Sequence, residues 1–325
     1  MYGFEFLEAS SVDEARRLHA GRAETRYLAG GTTLVDLMKA NVEVPRVVID
    51  ITRLPLGSVD VSDDVVRIGA MVRNSDAAYH EIVSRELPAL AQALLSGASG
   101  QLRNMATVGG NLLQRTRCAY FRETTYRCNK RSAGAGCDAL EGFNRTHAIL
   151  GGSDHCIATH ASDMAVALAA LDARVVVAGA DGETSLALDE FYRLPGDEPG
   201  RETSLSAGDV IVAVEIPRRA FFARSTYLKL RDRASYEFAL VSVAAALELD
   251  GGAITAARLA LGGVATVPWR VRAAEDLLRG ASADDATFVR AADVALEGAH
   301  RREHNAFKIE LTKRAIVRAL QMVSA

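Results

Sequence analysis

All four cysteines of this 325-residue chain, Cys118, Cys128, Cys137 and Cys156, fall within a single stretch of the sequence. Nine, eight and eighteen residues separate them in turn. Scattered structural thiols rarely bunch in this way, and clustering in a chain that begins without a signal-like segment favours a metal or cluster site over disulfides. The surrounding run, residues 115–160, is polar, basic and without clear periodicity, whereas the sequence on either side is strongly patterned. A stretch that long with no regular structure inside a globular domain is usually functional. It reads as an insertion organised by its own cysteines.

Thiolates bind zinc and iron–sulfur clusters alike. Structural zinc sites usually show short C-x₂₋₄-C knuckles, and none is present here. Unrelated cysteines, a zinc site and a cluster all stay open on spacing alone, with the cluster leading because four thiolates on a long loop can surround a cubane. Arg115, Arg117, Arg127, Lys130 and Arg131 are expected to offset the negative charge of such a group. His147, His155 and His160 are expected to be polar loop residues, since four thiolates already suffice as ligands.

The first hundred residues alternate helix and strand. SVDEARRLHAG (11–21) reads as a helix capped by Ser11, then come a short strand RYLAG, the helix LVDLMKA and the strand RVVIDI (46–51). Strand-like VDV and VVRIGAMV and the helix ELPALAQALLSGA continue the pattern. After the cysteine segment come the helix SDMAVALAALDA, the strands RVVVAGA, VIVAVEIP and STYLKL, the apolar run FALVSVAAALEL, the segment AITAARLALGG and two helices, VRAAEDLLRG and a terminal one. A domain boundary is expected near residue 175. No internal repeat is evident.

Two glycine pairs punctuate this pattern. LAGGTT (28–33) lies between a predicted strand and a predicted helix, and TVGGN (107–111) follows a short β-prone run. Adjacent glycines let backbone N–H groups approach an anion, and flanking Thr32, Thr33, Thr107 and Asn111 add side-chain partners. Together the turns suit a diphosphate-linked cofactor gripped from two sides. Neither fits G-x-G-x-x-G or the P-loop pattern, which argues against Rossmann and Walker sites. Gly262-Gly263 with Pro268-Trp269-Arg270 reads as a structural turn.

These motifs together resemble the FAD-binding medium subunits of the xanthine dehydrogenase family of molybdenum enzymes. LAGGTTLVDL and ATVGGNL look like that family's two FAD pyrophosphate turns, and the Ser-Asp helix that usually follows is delayed here by the cysteine segment. Such an insertion is similar to those of the aldehyde oxidoreductase and 4-hydroxybenzoyl-CoA reductase branches, and the resemblance covers essentially the whole chain. It implies an α+β fold. A two-subdomain FAD-binding domain of the vanillyl-alcohol-oxidase/PCMH type would span 1–175 (subdomains about 1–55 and 56–175), with the insertion at about 115–160. A C-terminal α/β sandwich domain of the CO dehydrogenase flavoprotein type would span 176–325.

The resemblance implies FAD held by Leu28, Ala29, Gly30, Gly31, Thr32, Thr33, Leu34 and Val35 on one side, and by Thr107, Val108, Gly109, Gly110 and Asn111 on the other. Asp163 and Lys229 match further flavin contacts, and Ile211 or Val212 a backbone contact to the ring system. It also implies a [4Fe–4S] cluster on Cys118, Cys128, Cys137 and Cys156. No residue of the chain would be catalytic: substrate, with aldehydes expected, would be oxidised on a molybdenum-cofactor large subunit. Electrons would pass through the [2Fe–2S] centres of a small subunit to this FAD and on to an external acceptor. Two other classes fit parts of the pattern, a stand-alone flavin oxidoreductase and a zinc-bound scaffold.

The formal charge of −3, from 38 basic and 41 acidic residues, gives no pull toward nucleic acid. No apolar run reaches the roughly 18 residues of a membrane span. The opening MYGFEFLEASSVDEARRL lacks the features of a secretory signal, so a cytoplasmic location is expected, or a periplasmic one by export with a signal-bearing partner.

Overall fold

The computed structural model describes residues 1–325. The chain opens with β1 (Glu5–Glu8), α1 (Val12–His19), β2 (Thr25–Leu28), α2 (Leu34–Lys39) and β3 (Val47–Asp50). The strands form a parallel sheet in the order β1-β3-β2. Central β3 is apolar at three successive positions, Val47, Val48 and Ile49, and all three are buried. That is the pattern of a parallel strand covered on both faces. Ser11 caps α1, its Oγ accepting from the Glu14 N–H at 3.2 Å.

A second unit follows. It runs through β4 (Val59–Val61), β5 (Val65–Gly69), α3 (Asn74–Tyr79), α4 (Glu81–Glu86), α5 (Pro88–Ser96), α6 (Gly100–Arg103), α7 (Val108–Leu112) and α8 (Ala119–Arg122). Beyond the cysteine segment it resumes with α9 (Asp163–Ala170), β6 (Arg174–Gly179), β7 (Gly182–Ala187), α10 (Leu188–Phe191) and β8 (Val210–Pro217). Five strands pair antiparallel in the order β4-β5-β8-β6-β7. Every residue of α9 from Met164 to Ala170 is buried, so this helix is apolar all round because it lies at the centre of the unit.

This sheet moves the expected boundary at residue 175. β6, β7 and β8 close on β5, with Ile68 opposite Val214, so residues 174–217 belong with the first two subdomains. The third unit begins after Pro217. It contains β9 (Ser225–Leu230), β10 (Val241–Asp250), β11 (Ala253–Gly262), β12 (Trp269–Arg270), α11 (Arg272–Leu278), α12 (Asp285–Ala295) and α13 (Phe307–Ser324). Its sheet has the order β12-β11-β10-β9. α12, with an Asp284 cap accepting from Thr287 N–H at 2.8 Å, was not anticipated from the sequence.

Strand β10 shows why the run at 243–247 is apolar without alternation. Val243, Ala245 and Leu247 enter a core shared with α11, α12 and α13. Ala244 and Ala246 point the other way, into the core built on α5 and α9. One strand therefore seals two cores, and the small alanines admit helices of the N-terminal half against the sheet.

Candidate functional site

A cleft of about 510 Å³ opens where the first subdomain meets the second, lined by both glycine turns, by Tyr27 and by the 199–211 loop and strand. The turns are pressed together. A Cβ at Gly30 would lie 2.0 Å from the carbonyl oxygen of Met105, just before the second turn, so only glycine fits. That carbonyl is itself fixed by Arg73, whose guanidinium donates to it. Gly31 adopts φ +72°, the left-handed region that glycine enters without strain.

The two turns differ in what they offer a ligand. In the first, the backbone N–H groups of Gly30, Gly31, Thr32 and Thr33 have no acceptor within the protein. In the second, Val108 N–H donates to Val72 O at 2.9 Å, Gly109 to Ala70 O at 2.9 Å and Asn111 to Thr107 O at 2.8 Å. Gly110 N–H donates to the Thr107 hydroxyl at 3.1 Å. Asn111 Oδ1 accepts from Gln114 Nε2 at 2.6 Å and from Ser162 Oγ at 2.7 Å. The first turn therefore leaves four donors free at the cleft, whereas the N–H groups of Val108 to Asn111 in the second are engaged within the protein.

Of the residues anticipated from sequence, Ala29, Gly30, Gly31, Thr32, Thr33, Leu34, Thr107, Gly109, Gly110 and Ile211 line the cleft. Leu28 and Val35 flank the first turn, and Val108 is buried beneath the second. Val212 faces the opposite side of its strand, beside Val176 and Ala213, which leaves Ile211 as the cleft residue of that pair. Arg115, Lys130, Tyr192 and Glu202 also line the cleft. Glu202 accepts from Lys130 Nζ at 2.8 Å and pairs with Arg115, which reaches Glu43 at 2.5 Å. Burial pushes the Glu202 carboxyl up, but Lys130 and Arg115 outweigh it and leave the group below its ordinary range.

Asp163 and Lys229 do not line that cleft. Asp163 sits at the start of α9 and borders a smaller cavity with Ser162, Phe238 and Ser242. Its carboxylate accepts from Lys229 Nζ at 2.8 Å and from Tyr227 Oη at 2.6 Å, both on β9. Lys229 also donates to Ser96 O at 3.1 Å. The pair joins the N-terminal half to the C-terminal unit.

In the cysteine segment, apart from the short helix α8, residues 115–160 fold into turns and single bridges. Cys128 pairs with Cys137 and Ser153 with Cys156 across isolated bridges. All four thiols are unpaired and pack in one cluster with Leu37, Phe121, Ala139, Ile157 and Ala158. Burial raises the Cys137 and Cys156 thiols and pushes Cys118 up to about 12. Ionising such thiols needs a compensating cation. No three His, Cys, Asp or Glu side chains close on a single-ion position.

Two expectations about neighbouring residues are corrected. Most of the basic side chains order the loop instead of facing the thiols. Arg117 binds Asp36 at 3.1 Å and Arg127 binds Asp138 at 2.7 Å. Arg131 gathers the carbonyls of Tyr120, Phe121 and Glu123. Only Lys130, already held by Glu202, exerts a charge effect that lowers the Cys156 thiol. His147 is no polar loop residue: its ring is buried, with Nε2 3.1 Å from Cys118 Sγ. Its burial was invisible in the sequence because Lys308, which donates to its backbone carbonyl, lies about 160 positions away on α13.

The comparisons agree with this architecture. Residues 2–219 match the family described as the FAD binding domain in molybdopterin dehydrogenase, and residues 225–323 match the CO dehydrogenase flavoprotein C-terminal domain. The gap between them coincides with the boundary set by the sheets. The chain is 50% identical over 98% of its length, and 98% of the relative's, to the aldehyde oxidoreductase FAD-binding subunit PaoB of Escherichia coli K12. It is 29% identical, over 87% of its length and 83% of the relative's, to the glyceraldehyde dehydrogenase medium chain of Sulfolobus acidocaldarius. Among solved structures it resembles carbon monoxide dehydrogenase of Hydrogenophaga pseudoflava, with TM-score 0.77, 26% identity and coverage of 99% and 97% of the two chains. No helix is long and apolar enough to cross a membrane. The chain therefore belongs to the FAD-binding medium subunits of the molybdenum hydroxylase family, as an oxidoreductase subunit.

Proposed function

We propose that this chain is the FAD- and [4Fe–4S]-carrying electron-transfer subunit of a heteromeric molybdenum oxidoreductase that oxidises aldehydes. The observation that carries the flavin assignment is the first glycine turn, where four successive N–H groups without internal acceptors border an open cleft. Leu28 to Val35 would hold the FAD diphosphate there, with Thr107, Gly109 and Gly110 shaping the opposite wall, Val108 and Asn111 bracing it from behind, and Ile211 bordering the ring. Asp163 and Lys229 would set the position of the C-terminal unit against the flavin. When bound, FAD exchanges electrons one or two at a time and so joins one-electron centres to an external acceptor.

The four cysteines fit an iron–sulfur group by type, number and burial. They pack around a shared core, and their long spacings, without a C-x₂₋₄-C knuckle, favour a cubane over zinc. The aldehyde assignment rests on the 50% identity with the aldehyde oxidoreductase subunit. Substrate chemistry would then lie on a molybdenum-cofactor large subunit, with a [2Fe–2S] small subunit as the second partner.

The test is anaerobic addition of an aromatic or aliphatic aldehyde to the complex purified through this chain. Bleaching of the flavin absorbance in the complex, and none in the isolated chain, is the expected result. Bleaching of the isolated chain by an alcohol or aldehyde would mean a stand-alone flavin oxidoreductase instead.

A further inference from the structure

Behind the cysteine cluster, away from the flavin cleft, His147 and Lys308 form a buried polar pair. The His147 ring is 3% exposed and Lys308, on α13, is 0% exposed. Lys308 Nζ donates to the carbonyl of His147 at 3.0 Å and to that of Gly263 at 2.6 Å. Asn305 Nδ2 donates to Ala148 O at 3.2 Å, and His147 N–H to Asn144 O at 3.0 Å. These bonds fix the backbone of residue 147 from the C-terminal unit and hold Nε2 at 3.1 Å from Cys118 Sγ.

The other ring nitrogen decides which group donates. Nδ1 is buried and has no hydrogen-bond partner. If the neutral ring carried its proton on Nδ1, a buried N–H donor would be orphaned, which native proteins rarely tolerate. With the proton on Nε2 only an acceptor is left unpaired, a smaller cost. A doubly protonated ring would orphan the same Nδ1–H. In the one state that leaves no donor unpaired the sulfur is the acceptor, as it is when a thiolate ligates a metal.

We infer that His147 donates Nε2–H to the Cys118 thiolate and so sets the reduction potential of the iron–sulfur group, an inference resting on the reading of the four cysteines given above. Hydrogen bonds to cluster sulfurs withdraw electron density and favour the reduced form. His147 is a tuning residue, placed by Lys308 and Asn305 of the C-terminal unit rather than by the loop that carries the cysteines.

The test compares the whole complex carrying wild-type chain, His147→Leu and His147→Gln. Iron per chain and the cluster's midpoint potential, from an EPR-monitored redox titration, are measured for each. The expected result is full iron in all three, a lower midpoint in His147→Leu, and a midpoint near wild type in His147→Gln, whose amide N–H can replace the ring donor. Loss of iron from His147→Leu alone, with retention in His147→Gln, would support the same bond. Equal midpoints for wild type and His147→Leu at full iron would overturn the inference. So would equal midpoint shifts, or equal loss of iron, in both variants, because bulk rather than the N–H would then be what matters. Wild-type chain without iron would instead remove the reading of the cysteines on which the inference stands.

Discussion

At Gly30 the cleft depends on a missing carbon atom. A Cβ there would meet the Met105 carbonyl at 2.0 Å, and that carbonyl belongs to backbone locked by Arg73 and by the Asn74 N–H to Ala106 bond at 2.9 Å. Gly30→Ala must push the two turns apart, at about 1–3 kcal/mol of overpacking strain. It is expected to lower both the melting temperature and the flavin-to-protein ratio of purified protein. Gly110→Ala, where the nearest atom is the Thr107 hydroxyl at 3.0 Å, should be milder. An unchanged flavin ratio in Gly30→Ala would show that the turns need not touch. At this scale the sequence was informative about residue type: both glycine pairs and all four cysteines stand out. It was silent on which backbone donors stay free, because that depends on Ala70 and Val72, more than thirty residues before the second turn.

Between elements, the joint of α9 with β9 is electrostatic. Asp163 and Lys229 have side chains 10% and 4% exposed, so little solvent screens them. Removing one partner of a buried pair leaves an uncompensated charge, a loss of roughly 3–5 kcal/mol. Lys229→Met is therefore expected to reduce thermal stability markedly, and Asp163→Asn combined with Lys229→Met should recover part of the loss, as a double-mutant cycle by thermal unfolding would record. Additive losses would mean that the two side chains do not act as a pair. Helix α9 and strands β8 and β9 were legible as elements, since capping, apolar run length and β-branching are local signals. The domain boundary was not. β6 and β8 carry short apolar runs that fit any buried strand, and only the long-range pairing of β8 with β5, and of β6 with β8, assigns them to the first half of the molecule. α12 escaped notice for a related reason: its alanine-rich face is weakly patterned, and it gains its place by packing on α13.

For the molecule as a whole, the cysteine segment is a keystone between units rather than an appendage. It borders the flavin cleft through Cys156, packs on α2 through Leu37, and is tied to the C-terminal unit by Ile149 N–H to Val264 O at 2.8 Å and by Lys308. Loss of the proposed iron–sulfur group should therefore be felt at the flavin as well as in the segment itself. The sequence marked the segment as an insertion, but not its contacts on both sides, which come from residues up to about 160 positions away. Whether one chain holds both a flavin and an iron–sulfur group is read by flavin and metal analysis, with a visible spectrum, on the purified complex and on the Cys137→Ser variant. One FAD per chain is expected and, for a [4Fe–4S] cluster, about four iron atoms bound by this chain that the variant loses. A chain carrying flavin with zinc or no metal, or a Cys137→Ser variant with iron undiminished, would contradict that expectation.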